Sequence, residues 1–264
     1  MRLSRFMTVV VGLAALTACK GDDVFDPSTP PLAAVRFINA VTDTGAVDIT
    51  MIDQIPWSAK ALNLNFRAGT AYWPTEAKAR HIRVFATSRN IGVTSGVLLD
   101  TQVSIAANTR VTLLLTGSAR AGTLNFIAID DGPIAPPAGQ ISVRLVNTSS
   151  GAVDGYLVAA PADPLPGTPF AANVGANATS SYTGRAPGAA AVRATDAGSA
   201  TVAASAAGPT APATLPNELP AAGVGVAGTA FSVYFFPRGV AGSPQNAITT
   251  PGMVWFVDRN PSDP

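Results

Sequence analysis

The sequence predicts an all-β protein: two tandem Ig-like antiparallel β-sandwich domains behind a signal peptide and a flexible tether. Three observations predict it. Apolar residues recur with period two in short runs, bounded by Gly, Pro, Asn and Asp. An opening pattern occurs twice. Val35-Arg36-Phe37-Ile38-Asn39-Ala40, followed by Gly45-Ala46-Val47-Asp48, returns as Val143-Arg144-Leu145-Val146-Asn147-Thr148 and Gly151-Ala152-Val153-Asp154, two residues shorter between the halves. The first residues, MRLSRFMTVVVGLAALTAC, read as an export leader that ends at the single cysteine of the chain.

The leader occupies 1–18. Arg2 and Arg5 supply its positive start, and Phe6 to Leu16 its uncharged apolar stretch. That stretch is shorter than the roughly 20 residues a bilayer span needs. Leu16-Thr17-Ala18-Cys19 resembles the lipobox of bacterial lipoproteins. Small residues before the cysteine suit cleavage there, and the Cys19 sulfur is the atom a lipid thioether requires. Each buried methylene contributes about 0.8 kcal/mol, so two or three acyl chains hold a protein stably. The expected partner is therefore the membrane, through an N-terminal lipid. Lys20-Gly21-Asp22-Asp23 follows, with no Asp directly after Cys19, which points to the outer rather than the inner membrane. Residues 19–32, with Asp26-Pro27-Ser28-Thr29-Pro30-Pro31, form the tether.

The first domain is placed at 33–132. Its strands are read at Ala33–Val41, Ala46–Ile52, Leu62–Phe66, Thr70–Trp73, Arg80–Thr87, Val97–Ile105, Thr109–Gly117 and Leu124–Ile129. Val47, Ile49 and Met51 share one face, as do Val111, Leu113 and Leu115. Residues 133–139, with Pro133, Pro136 and Pro137, read as a stiff linker. The second, more divergent domain is placed at 140–264, with its last strands at Phe231–Pro237 and Met253–Asp258. Residues 197–227 are mostly Ala, Gly, Pro, Ser and Thr, and predict a loop or a poorly packed strand.

Composition narrows the function. Without Arg2 and Arg5, 15 basic residues face 16 acidic ones. That balance gives no electrostatic footprint for nucleic acid. Charged residues are 12% of the chain, with 24 Gly and 22 Pro, as in an extracytoplasmic β-protein. With Cys19 lipidated, no thiol remains for a disulfide or a thiolate metal site.

The repeated opening, with Leu98-Leu99-Asp100 and Thr109-Arg110-Val111-Thr112, resembles the bacterial family known as domain of unknown function 4397. The resemblance implies Ig-like sandwiches, often in tandem on secreted or lipid-anchored proteins. It implies no catalytic residues.

Chemistry-bearing residues are sparse. His81 is the only histidine and lies in mid-strand, without a nucleophile motif beside it. Asp130-Asp131 is the adjacent carboxylate pair at the linker, read as a turn or hinge. Asn39, Asn147, Asp48 and Asp154 are read as bonding turn backbone, and Asp43 with Asp48 is too small a set for calcium. Trp57, Tyr72 and Trp73 are the candidates for ligand binding, since exposed aromatics stack on sugars and anchor interfaces. No metal or cofactor is expected. The resulting expectation is a non-catalytic, lipid-anchored envelope protein, structural or protein-interacting. The alternative is a carbohydrate- or small-ligand-binding module built on those aromatics.

Overall fold

The computed structural model describes residues 30–53, 59–94, 96–132, 134–212 and 220–263. In the first repeat the strands are β1 (Leu32–Asn39), β2 (Val47–Met51), β3 (Ala59–Leu64), β4 (Trp73–Glu76), β5 (Ala79–Ala86), β6 (Val97–Ser104), β7 (Arg110–Thr116) and β8 (Asn125–Asp130). The second repeat supplies β9 (Ile141–Asn147), β10 (Val153–Val158), β11 (Ala171–Val174), β12 (Thr183–Arg185), β13 (Ala191–Asp196), β14 (Val202–Ala207), β15 (Ala230–Phe236) and β16 (Gly252–Arg259). Among the described residues the fold is all-β, with one short helical turn at Ile91–Thr94. Among the described residues no helix is long and apolar enough to cross a membrane.

The repeats share one topology. Sheets β3-β2-β5-β6 and β4-β1-β7-β8 build the first sandwich, and β11-β10-β13-β14 and β12-β9-β15-β16 the second. The equivalence therefore runs through all eight strands, well beyond the repeated opening. Most pairs are antiparallel as expected, but β1 pairs β7 in parallel, and β9 pairs β15 likewise. The long chain path between these partners permits that pairing, which a hairpin cannot make.

Alternation places the cores. Val35, Phe37, Val47, Ile49, Met51, Ile82, Val84, Leu113 and Leu115 fill the first sandwich. Val143, Leu145, Val153, Val192, Phe231 and Val233 fill the second. The opposite faces of the central strands are not wet. Ile38, Leu114, Ile129, Val146, Tyr234 and Phe236 form a third buried cluster. It draws on β1, β7 and β8 from one repeat and β9 and β15 from the other, so the two sheets pack against each other. Four sheets are thus stacked, and the inner two are buried on both sides. Residues Pro31–Pro264 accordingly form one compact unit.

Three stretches differ from the sequence reading, one being the strand read at Leu62–Phe66, which runs Ala59–Leu64. Thr70–Tyr72 precedes β4, which instead runs Trp73–Glu76 through Pro74 at a sheet edge, where the lack of a donor is tolerated. In the small-residue stretch 197–227, Val202–Ala207 is an ordered edge strand paired to β13. Its small side chains leave room for Trp255. The Trp255 indole donates to the Ala206 carbonyl at 3.2 Å and meets Phe231 edge-on at 5.5 Å between centroids.

Candidate functional site

Two arrangements between the repeats carry the unusual polar chemistry: a sealed charge cluster and an open cleft. The cluster grows from the register of the parallel pairs. Arg36 on β1 lies opposite Thr112 on β7, and Arg144 on β9 lies opposite Ser232 on β15. Alternation turns both arginines away from their own cores and toward the other repeat. Their side chains are 2% and 5% exposed.

The bonds are exchanged reciprocally. Arg36 Nε donates to the Thr112 hydroxyl at 2.6 Å, and Arg144 Nε donates to the Ser232 hydroxyl at 2.7 Å. Each arginine then crosses to the other repeat's carboxylate. Arg36 Nη2 donates to Asp258 at 2.5 Å, and Arg144 Nη2 donates to Asp131. Their Nη1 groups donate to the Val257 and Asp130 carbonyls at 2.9 and 3.0 Å. The Tyr72 hydroxyl donates to Asp131 at 2.7 Å, and the Tyr182 hydroxyl to Asp258 at 2.8 Å. Each guanidinium also lies 4.6 Å from its own repeat's tyrosine ring centroid. Two arginines and two aspartates leave the cluster neutral.

Burial opposes the charge on both arginines, yet the facing carboxylates outweigh it and hold both above the ordinary arginine value. Burial pushes the Tyr72 and Tyr182 hydroxyls up, so they remain protonated donors. Burial likewise raises Asp131, against the pull of Arg36 and Arg144. Such an arrangement orients two surfaces, with the Asp131 and Asp258 side chains buried beside a smaller cleft of about 380 Å³.

Beside this cluster, Asn39 and Asn147 do matching work. The Asn39 amide donates to the Leu64 carbonyl at 2.9 Å, and the Asn147 amide to the Val174 carbonyl at 2.9 Å, tying the sandwich layers together. Asp48 and Asp154 accept from the backbone of Asn63 and Asn173, which hold φ of 51° and 49°. Asp43 accepts from the Ser118 hydroxyl and from the Ala119 and Arg120 backbone. Burial pushes its pKa up, but these hydrogen bonds prevail and hold the carboxyl below its ordinary value.

Two of the candidate ligand aromatics, Tyr72 and Trp73, are half-buried and line one open groove. Tyr72 belongs to the charge cluster. Trp73 packs against the first core, 6.0 Å from Phe37 between centroids. Trp57 lies outside the described residues, as do Cys19 and the preceding Leu16, Thr17 and Ala18. His81 bonds Asp100, which Arg83 also bonds at 2.7 Å, on the outer sheet. No group of three or more metal-ligating side chains is placed to hold an ion among the described residues.

Asp131 corrects the sequence reading of Asp130-Asp131 as a turn or hinge. Asp130 does bond the Gly132 backbone at 2.8 Å, but Asp131 is 1% exposed and accepts from Tyr72, Thr112 and Arg144. Arg36 and Arg144 were not singled out either, because period-two reading assigns the face opposite a core to water. The usable signal was an arginine at the same place in two otherwise apolar openings.

The cleft opens where β1, β7, β9 and β15 end, opposite the end at which β1 begins. Its volume is about 680 Å³, and both repeats line it. The β15–β16 loop forms one wall. It is fastened to the first repeat by Val240 N–H donating to the Thr42 carbonyl at 3.0 Å, and by Arg67 Nη2 donating to the Pro237 carbonyl at 2.8 Å. Arg238 is the only charged side chain of the lining.

No curated protein matches the chain. One family model matches residues 33–156, covering the first repeat, β9 and the first four residues of β10. The shared topology of β1–β8 and β9–β16 shows why that match continues past the linker into a second copy of the opening. Residues 33–156 of this chain match the model of the family described as domain of unknown function (DUF4397).

Proposed function

We propose that this protein is a non-catalytic module of the bacterial cell envelope. It is tethered by lipid on Cys19, in the outer rather than the inner membrane, and acts through structure and protein contact. The observation that carries the reading is the sealed interface. Its arginines and aspartates are engaged with one another, and their work is to fuse two sandwiches into one rigid body. Perturbed titratable groups in an enzyme gather around an accessible cleft; here the largest shifts, at Arg36, Tyr72, Tyr182 and Tyr234, gather where the sheets meet. The body also has free sheet edges. Among the described residues the β6 strand pairs only with β5, and an edge strand offers backbone groups to a partner strand. The alternative is glycan binding by Trp57, Tyr72 and Trp73; Tyr72 and Trp73 are half-buried, the first already bonded to Asp131 and the second packed on Phe37.

The test is intact mass of membrane-extracted protein beside Cys19→Ala, with protease shaving of whole cells. A diacyl- or triacyl-sized increment on Cys19, lost in the variant, is the expected result. An unlipidated chain, or one retaining residues 1–18, overturns the anchor.

A further inference from the structure

The cleft between the repeats is lined by side-chain donors that have no partner among the described residues. In the charge cluster each arginine faces a carboxylate. In the cleft, Arg238 is exposed and makes no hydrogen bond or ion pair among the described residues, and no carboxylate lines the space. The hydroxyls of Thr42, Ser150 and Thr249 and the NH2 groups of Asn177 and Asn246 likewise have no hydrogen-bond partner among the described residues. Hydroxyls both donate and accept, and amides add paired donors, which is the complement a polyol requires. A volume of about 680 Å³ lies within the roughly 300–1,000 Å³ of small-molecule sites.

The site is held in shape. Pro237 before Arg238 and Val240 after it are both bonded to the first repeat. The backbone that presents the guanidinium is therefore fixed before any ligand arrives. Asn177 from the second repeat accepts from the Thr116 hydroxyl of the first at 3.4 Å. Two further guanidiniums, Arg67 and Arg120, bond carbonyls of the same β15–β16 loop rather than carboxylates, which adds positive potential. The Asp43 carboxylate on the neighbouring loop is already taken by Ser118, Ala119 and Arg120.

We propose that this cleft binds an acidic saccharide, with Arg238 receiving a carboxylate and the hydroxyls and amides receiving sugar hydroxyls. A planar guanidinium matches a carboxylate in bidentate geometry.

The test is calorimetric titration of the detergent-solubilised full chain with tetragalacturonate, with its uncharged methyl ester, and with inorganic phosphate. Saturable binding of the acid is expected, at least tenfold tighter than that of the ester or of phosphate. Arg238→Ala should weaken the acid at least tenfold and leave the ester unchanged. Arg238→Lys should fall between, and Asn177→Ala should weaken acid and ester alike. Arg89→Ala removes another exposed arginine, one that does not line the cleft, and should match wild type. No saturable binding by wild type, or an Arg238→Ala variant that binds as well as wild type, overturns the site. Ester bound as tightly as acid overturns the role of the carboxylate, and phosphate bound as tightly overturns the saccharide. Cys19→Ala should bind unchanged, so failure of the lipid anchor and failure of the cleft are read separately.

Discussion

Replacing Asp258 with Asn removes one negative charge from the interface at constant shape, and its cost can be worked from the geometry. Asp258 accepts from Arg36 at 2.5 Å, from the Ser232 hydroxyl at 2.6 Å and from the Tyr182 hydroxyl at 2.8 Å. An amide keeps one acceptor and turns a donor toward the remaining partners. Arg36 stays buried, with Asp131 as its remaining carboxylate at 3.8 Å. Breaking a buried pair from one side costs about 3–5 kcal/mol. At an effective dielectric near 20, the remaining attraction at that distance is roughly 4 kcal/mol, which puts the expected loss toward the lower figure, about 3 kcal/mol. For a body of this size each kcal/mol moves the midpoint by about 2–4 °C, so Tm should fall by roughly 6–12 °C. The double variant Arg36→Met/Asp258→Asn removes both charges and should lose less than Asp258→Asn alone. A rim control, Asp263→Asn, breaks the partly exposed pair with Arg110 at 2.9 Å and should cost about 1 kcal/mol or less. Urea unfolding followed by tryptophan fluorescence measures all three. An Asp258→Asn stability within about 0.5 kcal/mol of wild type, or a double variant that loses the sum of its singles, would refute the reasoning.

Other consequences follow from the same packing. The Tyr234 hydroxyl is fully buried and has no hydrogen-bond partner among the described residues, so Tyr234→Phe should leave stability unchanged or raise it, read as the urea midpoint. Asp43 is held below its ordinary pKa, so its contribution is complete above about pH 4 and is lost as pH falls through the folded value. Asp43→Asn should therefore flatten the acid limb of a stability-versus-pH curve, and should cost about 1.5–3 kcal/mol near neutral pH. Gly117 has φ of 98°, and a Cβ there would sit 2.2 Å from the Thr123 carbonyl oxygen. Gly117→Ala should thus destabilise by more than about 1 kcal/mol, seen as a lower Tm.

Most strands were legible because a half-buried strand writes its faces into alternate residues. Val47, Ile49 and Met51 needed only that rule. The Ala-rich β14 was harder, because its packing partner, Trp255, lies far along the chain and no local pattern announces it. The candidate site was less legible than the fold. Tyr72 and Trp73 looked like a pair in sequence, yet Tyr72 lies just before β4 and joins the charge cluster, whereas Trp73 opens the strand and packs against the first core. Arg238 carried no motif. Its isolation from carboxylates became visible only once the loop after β15 was seen bonded to the first repeat.

The sequence by itself determined the repeat, the alternation and hence the two sandwich cores, since these follow from residues close together in the chain. Only the tertiary structure decided what covers the outer faces of β1 and β9. An arginine opposite a core is satisfied equally well by water or by a carboxylate, and alternation does not distinguish them. The choice is made by Asp258, 222 residues from Arg36, and by its counterpart Asp131 facing Arg144. Those contacts exist only after each sandwich has formed and the two sheets have closed on each other.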